Sequence, residues 1–221
     1  AIVKGKTAAV FVEPVQGEGG VFPADATFLK GLRELCDETG AVLVFDEVQC
    51  GLGRTGYLWG HQSVNVEPDI MTVAKPLAGG LPIGAVLVTE TVANAMSPGD
   101  HGSTFAGGPL VCHAANAVYD KVNTPAFMAN VVARGEQLRS GLREALKSDA
   151  RVVEVRGSGL LVGVQLNVQA GPLVGICRDL GLLVITAGAG DVLRLLPPLV
   201  VSESEVDKAV AIIAEAMGKM E

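Results

Sequence analysis

Four short apolar runs, Ala8–Val12, Ala41–Phe45, Ile70–Ala74 and Ala85–Thr89, show no alternation with polar residues. Continuous apolar runs of this length predict strands covered on both faces, as in a parallel sheet. Between the first two, Phe28, Leu29, Leu32, Leu35 and Cys36 recur at helical spacing, with Asp25 placed to cap the start and Gly40 to end the helix. Strand, helix, strand in that order is a βαβ unit and predicts an α/β fold. The pattern changes at Asn123-Thr124-Pro125: a long helix is expected over 126–147, then strands at Val152–Arg156, Leu160–Leu166, Leu182–Ile185 and Val192–Leu195. Ser202, with Glu205 three residues on, is a capping box opening a last helix that buries Val206, Val210, Ile213 and Met217. Residues 1–125 thus read as part of a large α/β domain, and 126–221 as a smaller α+β domain.

Composition narrows the function classes. The chain has 221 residues, 49% hydrophobic and only 19% charged, so it can bury a core and is not a disordered segment. Its net charge of −7 argues against a nucleic-acid partner, which needs a basic face. No apolar run approaches the ~18 residues that suggest a membrane helix. Four cysteines are too sparse for a disulfide scaffold, and with three histidines they show no metal-ligand spacing; Cys36, Cys112 and Cys177 read as core residues. The chain starts at Ala1, without an initiator Met or a leader pattern, which suggests a removed leader or a piece of a longer polypeptide.

Several residues carry candidate chemistry, each beside an ordinary structural role. Asp46 and Glu47 end a predicted strand, and ligands in open α/β sheets bind at the carboxyl ends of strands; a loop carboxylate or helix cap is the alternative. Lys75 follows another strand into a Gly/Pro-rich loop, where desolvation would suit its amine to Schiff-base chemistry; it could equally snorkel to solvent. Asp100-His101-Gly102-Ser103-Thr104 gathers triad residue types too closely for a triad, but its hydroxyls and amides suit a phosphate; an ordinary turn is the alternative. Glu18 sits in a Gly-rich loop expected to be flexible. Arg194 lies in an apolar strand and needs an anionic partner, either a structural one or a substrate carboxylate. Gly51-Leu52-Gly53-Arg54-Thr55-Gly56 has the letters of a dinucleotide fingerprint but neither its tight strand-to-helix context nor an acidic residue about 20 positions on, which makes a nicotinamide enzyme a distant reading.

Five ordered blocks resemble the class III, ω-amino-acid aminotransferases: Glu13–Gly20; Val44–Gln49 with Gly51–Gly56; Pro68–Lys75 with Gly79–Ala85; His101–Phe105; and Leu193–Leu199. The segments Gln49–Gly53, Ala74–Gly80 and Gly99–Gly102 are most similar to the branch that acts on N-acetylornithine in plants and algae. The resemblance implies a fold-type I transferase using pyridoxal 5′-phosphate. In it Lys75 would hold the cofactor and shuttle a proton, Asp46 would pair with the pyridinium nitrogen, and Gln49, beside Val48, would contact the ring hydroxyl. Ser103 and Thr104 would reach the phosphate of a neighbouring subunit's cofactor, implying a homodimer. Arg194 would bind the α-carboxylate of glutamate, and Glu18 would hold Arg194 when the ω-amino substrate is bound.

The implied reaction moves the δ-amino group of N-acetylornithine to 2-oxoglutarate, in arginine biosynthesis and within a plastid, with mitochondrion and cytoplasm as alternatives. Ornithine or 4-aminobutyrate as amino donor, and a non-catalytic truncated partner subunit, are the competing readings. Members of the family are nearly twice this length, so the chain is expected to be a C-terminal fragment, inactive alone.

Overall fold

A computed structural model describes residues 2–220. In chain order the elements are β1 (Ala9–Val12), β2 (Val15–Gln16), β3 (Phe22–Pro23), α1 (Ala26–Thr39), β4 (Val42–Asp46), β5 (Ile70–Val73), β6 (Ala85–Val88), α2 (Glu90–Ala93), α3 (Pro109–Val122), α4 (Pro125–Ala145), β7 (Val152–Ser158), β8 (Leu161–Leu166), α5 (Gly171–Asp179), β9 (Ile185–Ala187), β10 (Val192–Leu195) and α6 (Glu203–Lys219). They form two compact units. The first holds the chain up to Pro14, Ala24–Gly53 and Tyr57–Thr124; the second holds Val15–Pro23, Arg54–Gly56 and the chain from Pro125.

The first unit is built on a four-stranded sheet in the order β1-β4-β5-β6, with β1, β4 and β5 parallel and β6 antiparallel. Helix α1 begins where Asp25 Oδ1 accepts from the amides of Thr27 and Phe28, and ends at Gly40, whose φ of 74° is the left-handed cap. Its Leu29 and Cys36 pack with Leu43 and Phe45 on one face of the sheet. The opposite face carries Phe11 and Val86, 74% and 64% exposed, so the expected cover on both faces is not met in this chain. Runs of Val, Leu and Ile can signal a two-faced strand without showing what lies on the second face. Cys112, expected in the core, is only half-buried, because among the described residues of α3 Val122 alone is buried.

The second unit is an antiparallel sheet, β7-β8-β10-β9, packed against α4, α5 and α6. The capping box at Ser202 and Glu205 forms as expected, and Val206, Ile213 and Met217 are buried beneath α6. The strand expected at Leu182–Ile185 runs instead over Ile185–Ala187, with Leu183 86% exposed. Arg54 donates to the carbonyls of Leu160 at 3.0 Å and Pro197 at 2.7 Å, while burial pushes its guanidinium down to about 10.

Candidate functional site

Parallel pairing of β4 with β5 places two candidate groups at the same end of the sheet. Asp46 is the last residue of β4 and the register partner of Thr72. Its Oδ1 accepts from the Val48 amide at 3.0 Å and the Thr72 hydroxyl at 3.2 Å. Oδ2 makes no hydrogen bond among the described residues, so an acceptor oxygen remains for a protonated ring nitrogen. Lys75 lies two residues beyond β5. It is exposed rather than desolvated, and its ammonium has no hydrogen-bond or ion-pair partner among the described residues. An unpartnered amine and an open carboxylate oxygen fit an aldehyde cofactor with a basic ring nitrogen. Gln49 is half-buried in the turn after β4.

The residue that organises this turn is one that sequence reasoning places only as half of an acidic pair. Glu47 is 1% exposed, and its carboxylate accepts from the Gly60 amide at 2.8 Å, the His61 amide at 2.8 Å, His61 Nδ1 at 2.9 Å and the Cys50 thiol at 3.2 Å. Burial pushes its carboxyl up, but the His61 ring, the two amides and the thiol outweigh that and hold it below its ordinary value. Its own amide donates to Thr72 O at 2.9 Å, tying the turn to β5. The acidic pair at a strand end is the available signal; which of the two acids turns inward follows only from the loop that closes over it. Gly51 and Gly60 let that loop approach: a Cβ on Gly51 would stand 2.7 Å from Glu47 O, and one on Gly60 3.1 Å from Glu47 Oε2.

Ser103 and Thr104 are exposed, in the loop before α3. Ser103, with Pro82, Gly84, Phe105 and Gly107, lines an open hollow of about 460 Å³; Thr104 is not part of that lining. Asp100 turns back onto its own loop, accepting from the Ser97 amide at 2.7 Å.

In the second unit, Arg194 sits in β10 between β8 and β9 and is 4% exposed. Its Nη2 donates to Glu18 Oε1 at 2.6 Å, while the Glu18 side chain is 69% exposed. A buried guanidinium reached by a solvent-facing carboxylate can exchange that carboxylate for another. Glu18 lies, as expected, in a loop after a strand: the turn that joins β2 to β3, whose pairing makes the block a short hairpin. Among the described residues no group of three or more His, Cys, Asp or Glu could hold a metal, and no helix is long and apolar enough to cross a membrane.

Comparison with known proteins gives the family. The family model for aminotransferase class-III matches residues 1–217. A mitochondrial acetylornithine aminotransferase of Alnus glutinosa is 58% identical over 216 residues, covering 98% of this chain and 48% of the relative. A probable mitochondrial acetylornithine aminotransferase of Dictyostelium discoideum is 46% identical over 98% of this chain and 49% of its own length. Among solved structures, the N-acetylornithine aminotransferase of Stenotrophomonas maltophilia superposes with a TM-score of 0.88 at 40% identity, covering 96% of this chain and 56% of that one. The ornithine aminotransferase of Plasmodium yoelii does so with a TM-score of 0.90 at 32% identity, covering 96% and 57%. The chain therefore spans about half the length of the relatives it matches. With the fold-type I α/β architecture of its structural relatives and a family match across almost its whole length, the chain belongs to the class III aminotransferases.

Proposed function

We propose that the polypeptide carrying this chain is a pyridoxal-phosphate-dependent transaminase that moves the δ-amino group of N-acetylornithine to 2-oxoglutarate, a step of arginine biosynthesis. The observation that carries the reading is the Glu18–Arg194 pair. A two-substrate enzyme must accept an ω-amino donor that brings no carboxylate to that point and a dicarboxylic oxo acid that does. A buried Arg194 with an exposed, replaceable partner at 2.6 Å suits both. Pyridoxal phosphate, when bound, supplies the electron sink for moving an amino group between carbon skeletons.

The other roles belong to the chain. Asp46 would hold the cofactor's ring nitrogen in its protonated form, while the Val48 amide and the Thr72 hydroxyl orient its carboxylate. Lys75 would hold the cofactor through its amine and carry a proton at Nζ during amino transfer. Gln49 would contact the ring hydroxyl. Ser103 and Thr104 serve a phosphate across a homodimer; the 90% exposure of Phe105 and 75% exposure of Leu110 beside them supports a covering subunit. The first unit is then part of the large cofactor domain; the second unit corresponds to the small domain expected over 126–221, joined by Val15–Pro23, Arg54–Gly56 and Pro125. The plant-like blocks support a plastid, which imaging of a tagged polypeptide would check.

Since the chain covers about half of its relatives, the 221 residues alone are proposed to be inactive, and turnover by them would overturn this. In the natural polypeptide, loading with pyridoxal phosphate, borohydride reduction and peptide mass analysis should label Lys75. Label on another lysine would sink the assignment. Faster turnover with acetylated than with free ornithine is expected; the reverse would make it an ornithine transaminase.

A further inference from the structure

One buried side chain grips the backbone of the hairpin that carries Glu18. Arg156, in β7, is 8% exposed, and its fork points into the backbone of the hairpin. Nε donates to Gly20 O at 3.0 Å and Val21 O at 3.1 Å, and Nη2 donates to Gly20 O at 2.6 Å. Nη2 also reaches Gln165 Oε1 at 2.9 Å, and Nη1 reaches Glu154 Oε2 at 3.1 Å. The guanidinium lies over the Phe22 ring, 3.8 Å from its centroid. Between these contacts the chain does something costly. Val21, β-branched and fully buried, has φ of 58°, in the left-handed region that such residues avoid. Val21 packs against β8 at Gly163, where a Cβ would stand 3.0 Å from Val21 Cβ. On the far side the Gly188 amide donates to Glu18 O at 2.9 Å.

A strained residue persists only where its surroundings over-determine it. Here they fix the backbone on both sides of Gly19, at Glu18 O and at Gly20 O, while leaving the Glu18 side chain exposed. We infer that Arg156 is a positioning residue: by gripping the carbonyls of Gly20 and Val21 it holds the hairpin so that Glu18 meets Arg194 through side-chain rotation alone, without movement of the loop. The inference rests on the reading of Glu18 and Arg194 given under Proposed function. Lysine at 156 keeps the charge but cannot bridge two carbonyls and Gln165 with a planar fork.

The test has two readouts in the natural polypeptide. Hydrogen exchange of the amides of residues 17–22 reports the clamp, and calorimetric titration with glutarate, a dicarboxylate that cannot react, reports access to Arg194. Arg156→Lys is expected to speed exchange in that segment and to tighten glutarate by about tenfold, matching Glu18→Gln, because in both Glu18 no longer competes for Arg194. The double variant should bind glutarate no tighter than either single one. Phe22→Ala, at a half-exposed position, removes one wall of the clamp without touching the core and should shift both readouts the same way, less far.

Unchanged exchange in Arg156→Lys overturns the inference; should that variant fail to fold, unchanged exchange in Phe22→Ala does so. Faster exchange with unchanged glutarate affinity, while Glu18→Gln still tightens it, overturns the positioning role and leaves the proposed function standing. No effect of Glu18→Gln on glutarate overturns the reading of the pair itself.

Discussion

Replacing Glu47 tests whether one buried carboxylate organises the turn behind Asp46. Glu47→Ala removes the acceptor for the Gly60 amide, the His61 amide and His61 Nδ1, all within 2.9 Å, and for the Cys50 thiol. Each buried donor left without a partner costs about 1–3 kcal/mol, and two of these are backbone amides that cannot turn away. Part of that is returned because a buried charge disappears with the side chain. The expected net loss is about 3 kcal/mol, the unpaired donors outweighing that return. Glu47→Gln is expected to be nearly as damaging. Its amide keeps one acceptor oxygen but presents an NH₂ either to the Gly60 amide and Cys50 or to the two His61 donors.

The molecule supplies its own reporter. Its single tryptophan, Trp59, precedes the short 3₁₀ turn Gly60–Ser63 that donates to Glu47. Urea unfolding followed by Trp59 fluorescence should show the midpoint lowered by about 1.5–3 M, taking an m-value of about 1–2 kcal/mol/M for a unit of this size. A shift below about 0.5 M would refute the reasoning, because the loop would then be held by something other than this carboxylate.

Other consequences follow from the same contacts. The folded-state carboxyl of Glu47 lies below its unfolded value of 4.5, so its contribution is fully present above that pH and is lost as pH falls through the folded value. Acid titration of Trp59 fluorescence should therefore be shallower in Glu47→Gln than in the wild type, and equal slopes would contradict the assignment. Gly51→Ala forces a Cβ to within 2.7 Å of Glu47 O and should cost about 1–3 kcal/mol in the same urea experiment; an unchanged midpoint would mean the loop has slack. Ile213→Ala, at a fully buried position of α6, should cost about 2–5 kcal/mol by far-ultraviolet circular dichroism of the second unit's helices, with a loss below about 1 kcal/mol arguing against tight packing there. Asp46→Asn keeps an oxygen for the Val48 amide and the Thr72 hydroxyl but replaces the open oxygen by a donor. It should lower turnover of the natural polypeptide on the order of a hundredfold or more while leaving the Trp59 midpoint near the wild-type value.

The elements legible in the sequence are those whose signals are local. Asp25 and Gly40 bracket α1, and Ser202 with Glu205 opens α6, because a cap is satisfied by backbone amides within a few residues. Helix α3 is not legible in this way. Gly108 offers no capping side chain, so the stripe of Val111, Ala114, Ala115, Val118 and Val122 stands without a capping signal at its start. Pro109 at its first turn is the usable cue. The hairpin around Glu18 is beyond local reading altogether. Its strands are two residues each, and its supports, Arg156, Gly163, Gly188 and Arg194, all lie more than 130 residues further along the chain. The same limit applies to Arg194. Burial and need of an anion follow from an arginine in an apolar strand, but the choice of Glu18 as partner depends on how Val15–Pro23 joins the second unit.

The glycine block after β4 shows why letters without context mislead. Residues 51–56 spell a dinucleotide fingerprint, whose glycines would open a helix toward a pyrophosphate. Here the block runs through turns instead and serves two local tasks. Gly51, together with Gly60 beyond the block, brings backbone down onto a buried carboxylate, and Arg54 reaches the carbonyls of Leu160 and Pro197. Burying Glu47 costs desolvation that an apolar residue would avoid, so the charge is retained for what it does to geometry. Four donors converge on it from two directions, and its own amide is tied to β5 through Thr72 O. The residue immediately before it, Asp46, and the two immediately after, Val48 and Gln49, are thereby fixed in the turn where the proposed cofactor contacts lie. On this argument Glu47 and Asp46 divide the work of the acidic pair: one is turned inward to hold the backbone, and so the other can face outward with an oxygen to spare.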